Sequence, residues 1–252
     1  MAKAILQTVD RALQLLEIVA EHPEGVVAKE LEERLELNKV TVHRLLATLE
    51  NRGFIERTGN GYTVGIKVVE LSSMKLNNVE LKTEATPYLR KLVSKLGVPV
   101  QMAILEGEEA VFIDKVESLS SLRMYSQIGK RIPLYSSGVG KALLLQESDD
   151  EILRMFSNVE FIQFTSKTLT SPEAVLEEIK KARLTGYAVD NEEHEEGIYC
   201  VAAPVYDYRG QIIAAISAGG RESLLMSDPE QKGIEAVKET ALEISRRLGY
   251  RA

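Results

Sequence analysis

Apolar residues recur along the chain with periods that change from element to element. From about Val9 to Glu21 they fall at Val9, Leu13, Leu16 and Ala20, with Leu15, Ile18 and Val19 widening the stripe. This spacing predicts an amphipathic helix with Thr8 as its N-cap. His22-Pro23-Glu24-Gly25 ends it, because proline cannot continue the ladder and glycine permits the turn. VVAKELEERLEL predicts a second helix, Leu37 and Asn38 a corner, and residues 38–52 a third helix with Val42, Leu45, Leu46 and Leu49 on one face. Phe54 and Ile55, then Tyr62 and Val64, form two short strands around Gly59-Asn60-Gly61. That tripeptide is expected to supply consecutive positive-φ positions at a hairpin tip. IKVVELSSMKLNN returns to helical spacing and reads as a linker helix over 66–79, with an apolar face for a partner.

From about Glu80 helices and strands alternate. LKTEATPYLRKLVSKLG predicts a helix closed by Gly97, and VPVQMAILEG and EEAVFIDKVES predict strands, with LRMYSQIG as a further one. A helix starts at the corner SSGVGKALLLQ, another follows Ser148, and a third has Ser171 as N-cap, Pro172 at its first position and Gly186 as its stop. YAVDNEE, GIYCVAAPVYDY and GQIIAAISAGG predict strands, and DPEQKGIEAVKETALEISRRLG a closing helix. Such an order describes an α+β domain, helices packed on a curved antiparallel sheet, over residues 80–252.

The N-terminal order of helix, corner, helix and two-stranded wing, over residues 1–65, is that of a winged helix-turn-helix. Opposite its apolar stripe the third helix carries Lys39, Thr41, His43, Arg44 and Thr48, donors and acceptors sized for a DNA major groove. Asn60 at the wing tip is placed to approach the backbone. Arg11 stands in the first turn of the first helix, where both a solvated side chain and a phosphate contact remain open.

Charge sharpens this picture. The 252 residues carry a net charge of −7, and residues 1–65 hold eight Lys/Arg against ten Asp/Glu. Glu24 to Glu36 has five acids and two bases, whereas Asn38 to Arg57 has four bases and two acids. Positive charge is therefore local to the reading helix and wing, which predicts modest non-specific affinity and dependence on dimerisation. No apolar run approaches the ~20 residues of a membrane span, and the N-terminus reads as a mature helix rather than a signal peptide. The one cysteine, Cys200, excludes an intramolecular disulfide and fits a reducing cytoplasm.

Two segments of the second domain carry candidate chemistry. The corner Ser136-Ser137-Gly138-Val139-Gly140-Lys141 opens a helix, so it is either a tight turn or an anion site for a carboxylate or phosphate. It lacks the GxxxxGK[ST] spacing of a P-loop. In the run from Asp190 to Cys200, Asp190, His194 and Cys200 invite a Cys–His–Asp nucleophile. The apolar neighbours Val201, Ala202 and Ala203 argue instead for inert packing. Glu192, Glu193, Glu195 and Glu196 read as a solvated loop rather than a metal cluster. No cofactor or metal is expected.

RALQLLEIV, KVTVHRLLATLENRGFIER, PLYSSGVGKALL, GYAVDNEEHEEGIYCVAAPV and AAISAGG, in this order, resemble the IclR family of bacterial and archaeal transcriptional regulators. The resemblance runs from about residue 5 to residue 250. It implies a winged helix, a linker helix and a GAF- or profilin-like effector-binding domain, with dimers through the N-terminal region and often tetramers through the effector domains. It also implies that the Gly138 corner lines an effector pocket, that Asp190 and Cys200 face a small acid, that Met124, Ile132, Val139 and Ile198 surround it, and that Ser217 supplies a polar contact. Gly219 stands where family members often have a second serine, and Val139 where alanine is common, so a specific effector does not transfer.

These readings converge on a DNA-binding repressor, a homodimer or homotetramer on a palindromic operator, modulated by a small organic acid. The rivals are an enzyme centred on Cys200 and a constitutive architectural DNA-binding protein. The enzyme lacks a paired base and nucleophile beyond the Cys200 case, and the elaborate second domain argues against the architectural protein.

Overall fold

A computed structural model of the chain describes residues 5–77, 80–118, 126–221 and 232–251. The chain divides into two compact units, residues 1–78 and 79–252. No helix among the described residues is long and apolar enough to cross a membrane.

The first unit comprises α1 (Gln7–Ala20), α2 (Ala28–Leu35), α3 (Lys39–Asn51), the antiparallel hairpin β1 (Ile55–Thr58) and β2 (Gly61–Val64), and α4 (Ile66–Asn77). Its core collects Leu15 and Val19 of α1, Leu31 of α2, Val42, Leu45, Leu46 and Leu49 of α3, and Val26, Ile55 and Tyr62. The expected stripe of α1 is thus rotated. Leu15 and Val19 are its buried residues, while Val9 and Leu13 are each 54% exposed. With apolar residues around most of α1, periodicity alone did not single out the inward face. The helix also begins one residue before Thr8, after Leu6, which makes no side-chain cap.

The hairpin tip differs from expectation too. Of Gly59, Asn60 and Gly61, only Gly61 has positive φ, at 127°. A Cβ there would lie 2.3 Å from the Val26 carbonyl oxygen, since Val26 and Tyr62 exchange both backbone hydrogen bonds (3.0 and 2.8 Å). Glycine is required by this close approach as much as by the turn. The wing is thereby stitched to the segment that precedes α2.

The second unit is built on a six-stranded antiparallel sheet of order β5-β4-β3-β8-β7-β6. The strands are β3 (Val100–Glu106), β4 (Glu109–Val116), β5 (Arg131–Pro133), β6 (Ala188–Asn191), β7 (Tyr199–Tyr206) and β8 (Ile212–Gly220). Register shifts at Met102/Ala103 and Val205/Tyr206 mark bulges, which bend strands. On one face lie α5 (Glu80–Leu96) and α9 (Lys232–Arg247). On the other lie the six-residue α6 (Gly138–Leu143) and α8 (Pro172–Thr185), with α7 (Asp149–Phe156) packed on α8. Both faces being covered, β7 is buried at every position from Tyr199 to Val205. Ser148 and Ser171 cap α7 and α8 through the N–H groups of Glu151 and Ala174, and Gly186 ends α8 at φ 78°.

The strand expected over LRMYSQIG is not found where it can be checked. Residues 119–125 lie outside the described residues, and Ile128 and Gly129 form a turn, with the edge strand beginning at Arg131. Its apolar content suits a strand, but Gly129 at φ 85° places the break there.

Helix α6 is short and almost wholly buried, and Gly140 explains how it fits. A Cβ on Gly140 would come within 2.5 Å of the Cα and carbonyl oxygen of Leu134. Gly140→Ala is expected to overpack this contact and cost about 1–3 kcal/mol, read as a lower urea midpoint for the second unit. An unchanged midpoint would show that α6 can move away from Leu134 freely.

Candidate functional site

The first unit presents α3 outward. Asn38, extended at the N-cap, accepts the Thr41 N–H at 2.9 Å, so the helix starts cleanly after the corner. Glu36, left-handed at φ 50°, closes α2 and sets the turn between the helices. With Val42, Leu45, Leu46 and Leu49 inward, the side chains of Lys39, His43 and Arg44 are exposed. Thr41 is only half-buried, and the hydroxyl of Thr48 donates to the Arg44 carbonyl at 2.7 Å, so Thr48 spends its donor on its own helix. Asn60 is exposed at the wing, and Arg11 is half-buried on α1. Val40 and Ala47 are exposed on α3 as well, although nothing in the sequence pattern singled them out.

In the second unit a cavity of about 50 Å³, measured by the centres of water-sized spheres, opens where the core under α6 runs out. That is room for roughly four water centres, which suits a ligand of few heavy atoms. Ile132, Gly138, Val139, Asp190, Ile198, Cys200 and Ser217 all line it, brought together from β5, α6, β6, the turn that enters β7, β7 itself and β8. Met124 lies outside the described residues. Gln101, Phe112, Ser126, Lys130, Ser137, His194 and Glu195 complete the wall.

The polar groups of this wall are tied to one another. Gln101 is buried in β3; its amide donates to the Ser126 hydroxyl at 2.9 Å and accepts from the Ser217 hydroxyl at 3.0 Å. Ser136 and Nδ1 of His194 approach to 3.2 Å, and the His194 ring packs against Phe164 at 4.5 Å between centroids. The glycine corner is a capped packing turn: the Ser137 hydroxyl accepts the Gly140 N–H, and the Ser137 carbonyl the Lys141 N–H. A Cβ on Gly138 would sit 3.3 Å from that of Ala202 and 3.4 Å from the Asp190 nitrogen, so glycine lets α6 start against β6 and β7.

Lys141 does not reach towards an anion in the cavity. Its ammonium is 1% exposed and donates to both carboxylate oxygens of Glu193, at 2.6 and 2.5 Å. The acidic run is therefore not wholly a solvated loop, because Glu193 is buried, its backbone N–H given to Oδ1 of Asp190 at 2.8 Å. Burial raises the Glu193 carboxyl while Lys141 pulls against it. Burial likewise lifts Asp190 to about 7; Lys141 opposes this and the negative Glu193 adds to it. The Cys200 thiol is pushed well above its usual range by burial, with Asp190 and Glu195 reinforcing the shift.

That last shift bears on the nucleophile reading. Asp190, His194 and Cys200 do line one cavity, but the thiol is held protonated, and thiolate is the reactive form. Burial and the nearby Lys130 also lower the His194 imidazole, whose Nδ1 faces Ser136 rather than the thiol. Among the described residues, no group of three or more His, Cys, Asp or Glu is arranged to hold a metal ion.

Two family models match the chain, the IclR helix-turn-helix domain over residues 8–59 and the bacterial transcriptional regulator IclR C-terminal domain over residues 73–246. The chain belongs to the IclR family of transcriptional regulators. It is 33% identical over 250 residues to the HTH-type transcriptional regulator XynR of Escherichia coli, covering 98% of this chain and 99% of XynR. The solved structure of Thermotoga maritima IclR superposes with a TM-score of 0.82 at 32% identity, covering 98% of this chain and all of that one. An IclR homologue from Microbacterium hydrocarbonoxydans, complexed with 4-hydroxybenzoate, shares the fold at a TM-score of 0.84 and 22% identity over 96% of this chain and 98% of its own. The IclR architecture of a helix-turn-helix domain and a curved antiparallel sheet with helices is thus established for this chain.

Within that IclR frame, the missed residues in and behind the wall had weak signals. Gln101 was a lone amide in the apolar run VPVQMAI, a place where an unpartnered polar group would be costly. Glu193 and Lys141 are 52 residues apart and gave no local pattern. Two outcomes test the electrostatics. Lys141→Met alone, leaving Glu193 buried and unpaired, is expected to cost about 3–5 kcal/mol, and adding Glu193→Leu to recover most of it; equal losses in single and double variants by urea titration would contradict the pairing. For Asp190, the folded value near 7 against 3.8 for the free side chain means the folded state binds the extra proton between these values. Stability from this group is full at low pH and is lost as pH rises through about 7. The stability advantage of Asp190→Asn over wild type should therefore grow across that window and level off above it.

Proposed function

We infer that this IclR-family regulator is a repressor that binds a palindromic operator as a dimer and releases or tightens its hold when a small carboxylic acid enters the cavity beneath α6. The observation that carries the reading is the gathering of Gly138, Asp190, Ile198, Cys200 and Ser217 around one small cavity, in a unit distinct from the one bearing α3. A carboxyl held near 7 exists partly protonated at neutral pH, so Asp190 can donate a hydrogen bond to a carboxylate. Lys130 on the same wall favours negative charge. Lys39, His43 and Arg44 read bases and phosphates from the major groove, with Thr41, Arg11 and the wing at Asn60 supporting the backbone contact.

Dimerisation has support of its own. Ile5, Leu6, Val9 and Leu13 leave an apolar stripe on and before α1 exposed by 54–76%, the kind of surface that a second copy would cover. Effector binding then changes operator affinity through how the effector domains associate. A coupling of about 1–3 kcal/mol would alter it roughly 5- to 150-fold.

Selection of duplexes from a random pool by the full chain supplies an operator. Lys39→Ala with Arg44→Ala should abolish its footprint while circular dichroism stays unchanged, and a footprint that persists would remove α3 as the reading helix. Thermal-shift screening of small carboxylic acids against wild type and Asp190→Ala tests the cavity. Stabilisation of the wild type alone is the expected outcome, and equal stabilisation of both would take Asp190 out of the site.

A further inference from the structure

The geometry assigns Val40 a specificity role: its side chain reads the 5-methyl group of a thymine in the operator's major groove. Val40 is in the first turn of α3, the part of a reading helix that approaches base edges most closely. It is 70% exposed, against 0–9% for Val42, Leu45, Leu46 and Leu49. Residues 40, 44 and 47 are spaced by four and three, so they form one stripe on the helix, directly opposite the buried one. Val40 accordingly stands at the middle of the outward face, beside the exposed Arg44 and Ala47.

A β-branched apolar residue gains nothing for the fold there. Valine is a poorer helix former than the residues that usually fill exposed helical positions, and at this exposure it contributes little to the core. In the major groove the same side chain has a specific counterpart. Every base pair presents donors or acceptors, but only A·T and T·A present a methyl group, and apolar side chains pack on it. The hydroxyl and amine donors expected of a reading face do not sense the methyl group itself, whereas two valine methyl groups can pack on it. Arg44, one helical turn on, offers the paired donors that suit guanine or phosphate, so the two residues divide apolar and polar readout between them.

This assignment rests on α3 being the reading helix, which the Lys39 and Arg44 double variant tests by itself, so failure of one is distinguishable from failure of the other. The experiment replaces each thymine of the selected operator, one position at a time, by deoxyuridine, which removes only the methyl group. Wild-type full-length protein should lose about fourfold in affinity at one thymine per half-site, the loss expected for one buried methyl. Val40→Ala should bind the thymine and deoxyuridine duplexes equally. Val40→Thr, which keeps one methyl group, should retain part of the difference. The assignment is overturned if no deoxyuridine substitution weakens the wild type, if the selected half-site holds no thymine, or if Val40→Ala keeps the full difference. Sedimentation of Val40→Ala supplies the rival outcome, since a changed oligomeric state with unchanged methyl sensitivity would place Val40 in a protein interface instead.

Discussion

The second unit depends on the pairing of Lys141 with Glu193. An ammonium that is 1% exposed cannot remain charged without a partner, and the bidentate contact satisfies it inside the protein. The pair joins α6, which forms one wall of the cavity, to the turn between β6 and β7, which forms another. Glu193 in turn gives its N–H to Asp190, so the position of the buried carboxyl follows from that of the lysine. Gly140 and Gly138 let α6 come close enough to Leu134 and Ala202 for the pair to form. Sterics and charge thus specify the same arrangement, which is how a six-residue helix holds a defined place.

The two units work in opposite electrostatic regimes. On α3 the charges of Lys39 and Arg44 are exposed, screened by salt, and useful mainly against a highly charged partner. Around the cavity the charges are removed from water, and removal decides which form each group adopts. Asp190 is drawn towards its acid and Cys200 is kept as a thiol, while His194 is driven towards neutral imidazole. The result is a wall in which neutral donors and acceptors, joined by the Gln101 bridge from Ser217 to Ser126, stand beside Lys130 and Glu195. Such a wall offers hydrogen bonds, and its thiol is held in the form that does not attack.

How much of this was legible from the residues depends on how far apart the interacting groups are in the chain. Helix α3, the wing and the capped helices α7 and α8 were legible because caps, periodicity and turn residues act within a few positions. The inward face of α1 was not, since apolar residues on several sides made its stripe ambiguous. The edge strand at Arg131–Pro133 is too short to show a period. Half of the wall residues matched through the family resemblance, whereas Gln101 and the Lys141–Glu193 pair needed the fold, because their partners come from strands and turns distant in sequence. Val40 was passed over for a different reason: it belongs neither to the apolar stripe nor to the polar residues expected of a reading face, and only its exposure on α3 draws attention to it.

The stitch between Val26 and Tyr62 has a mechanical consequence. Because the wing shares backbone hydrogen bonds with the segment entering α2, and Tyr62 packs in the same core as Leu45 and Leu49, wing and α3 are held together through that core. Moving the wing away from α3 would break those two hydrogen bonds and open that core. On the dimeric reading proposed above, a signal from the cavity would act on the placement of the whole first unit and leave its internal packing intact. Under the proposed function, the effector would act as a ruler for a pair of readers whose own alphabet stays fixed.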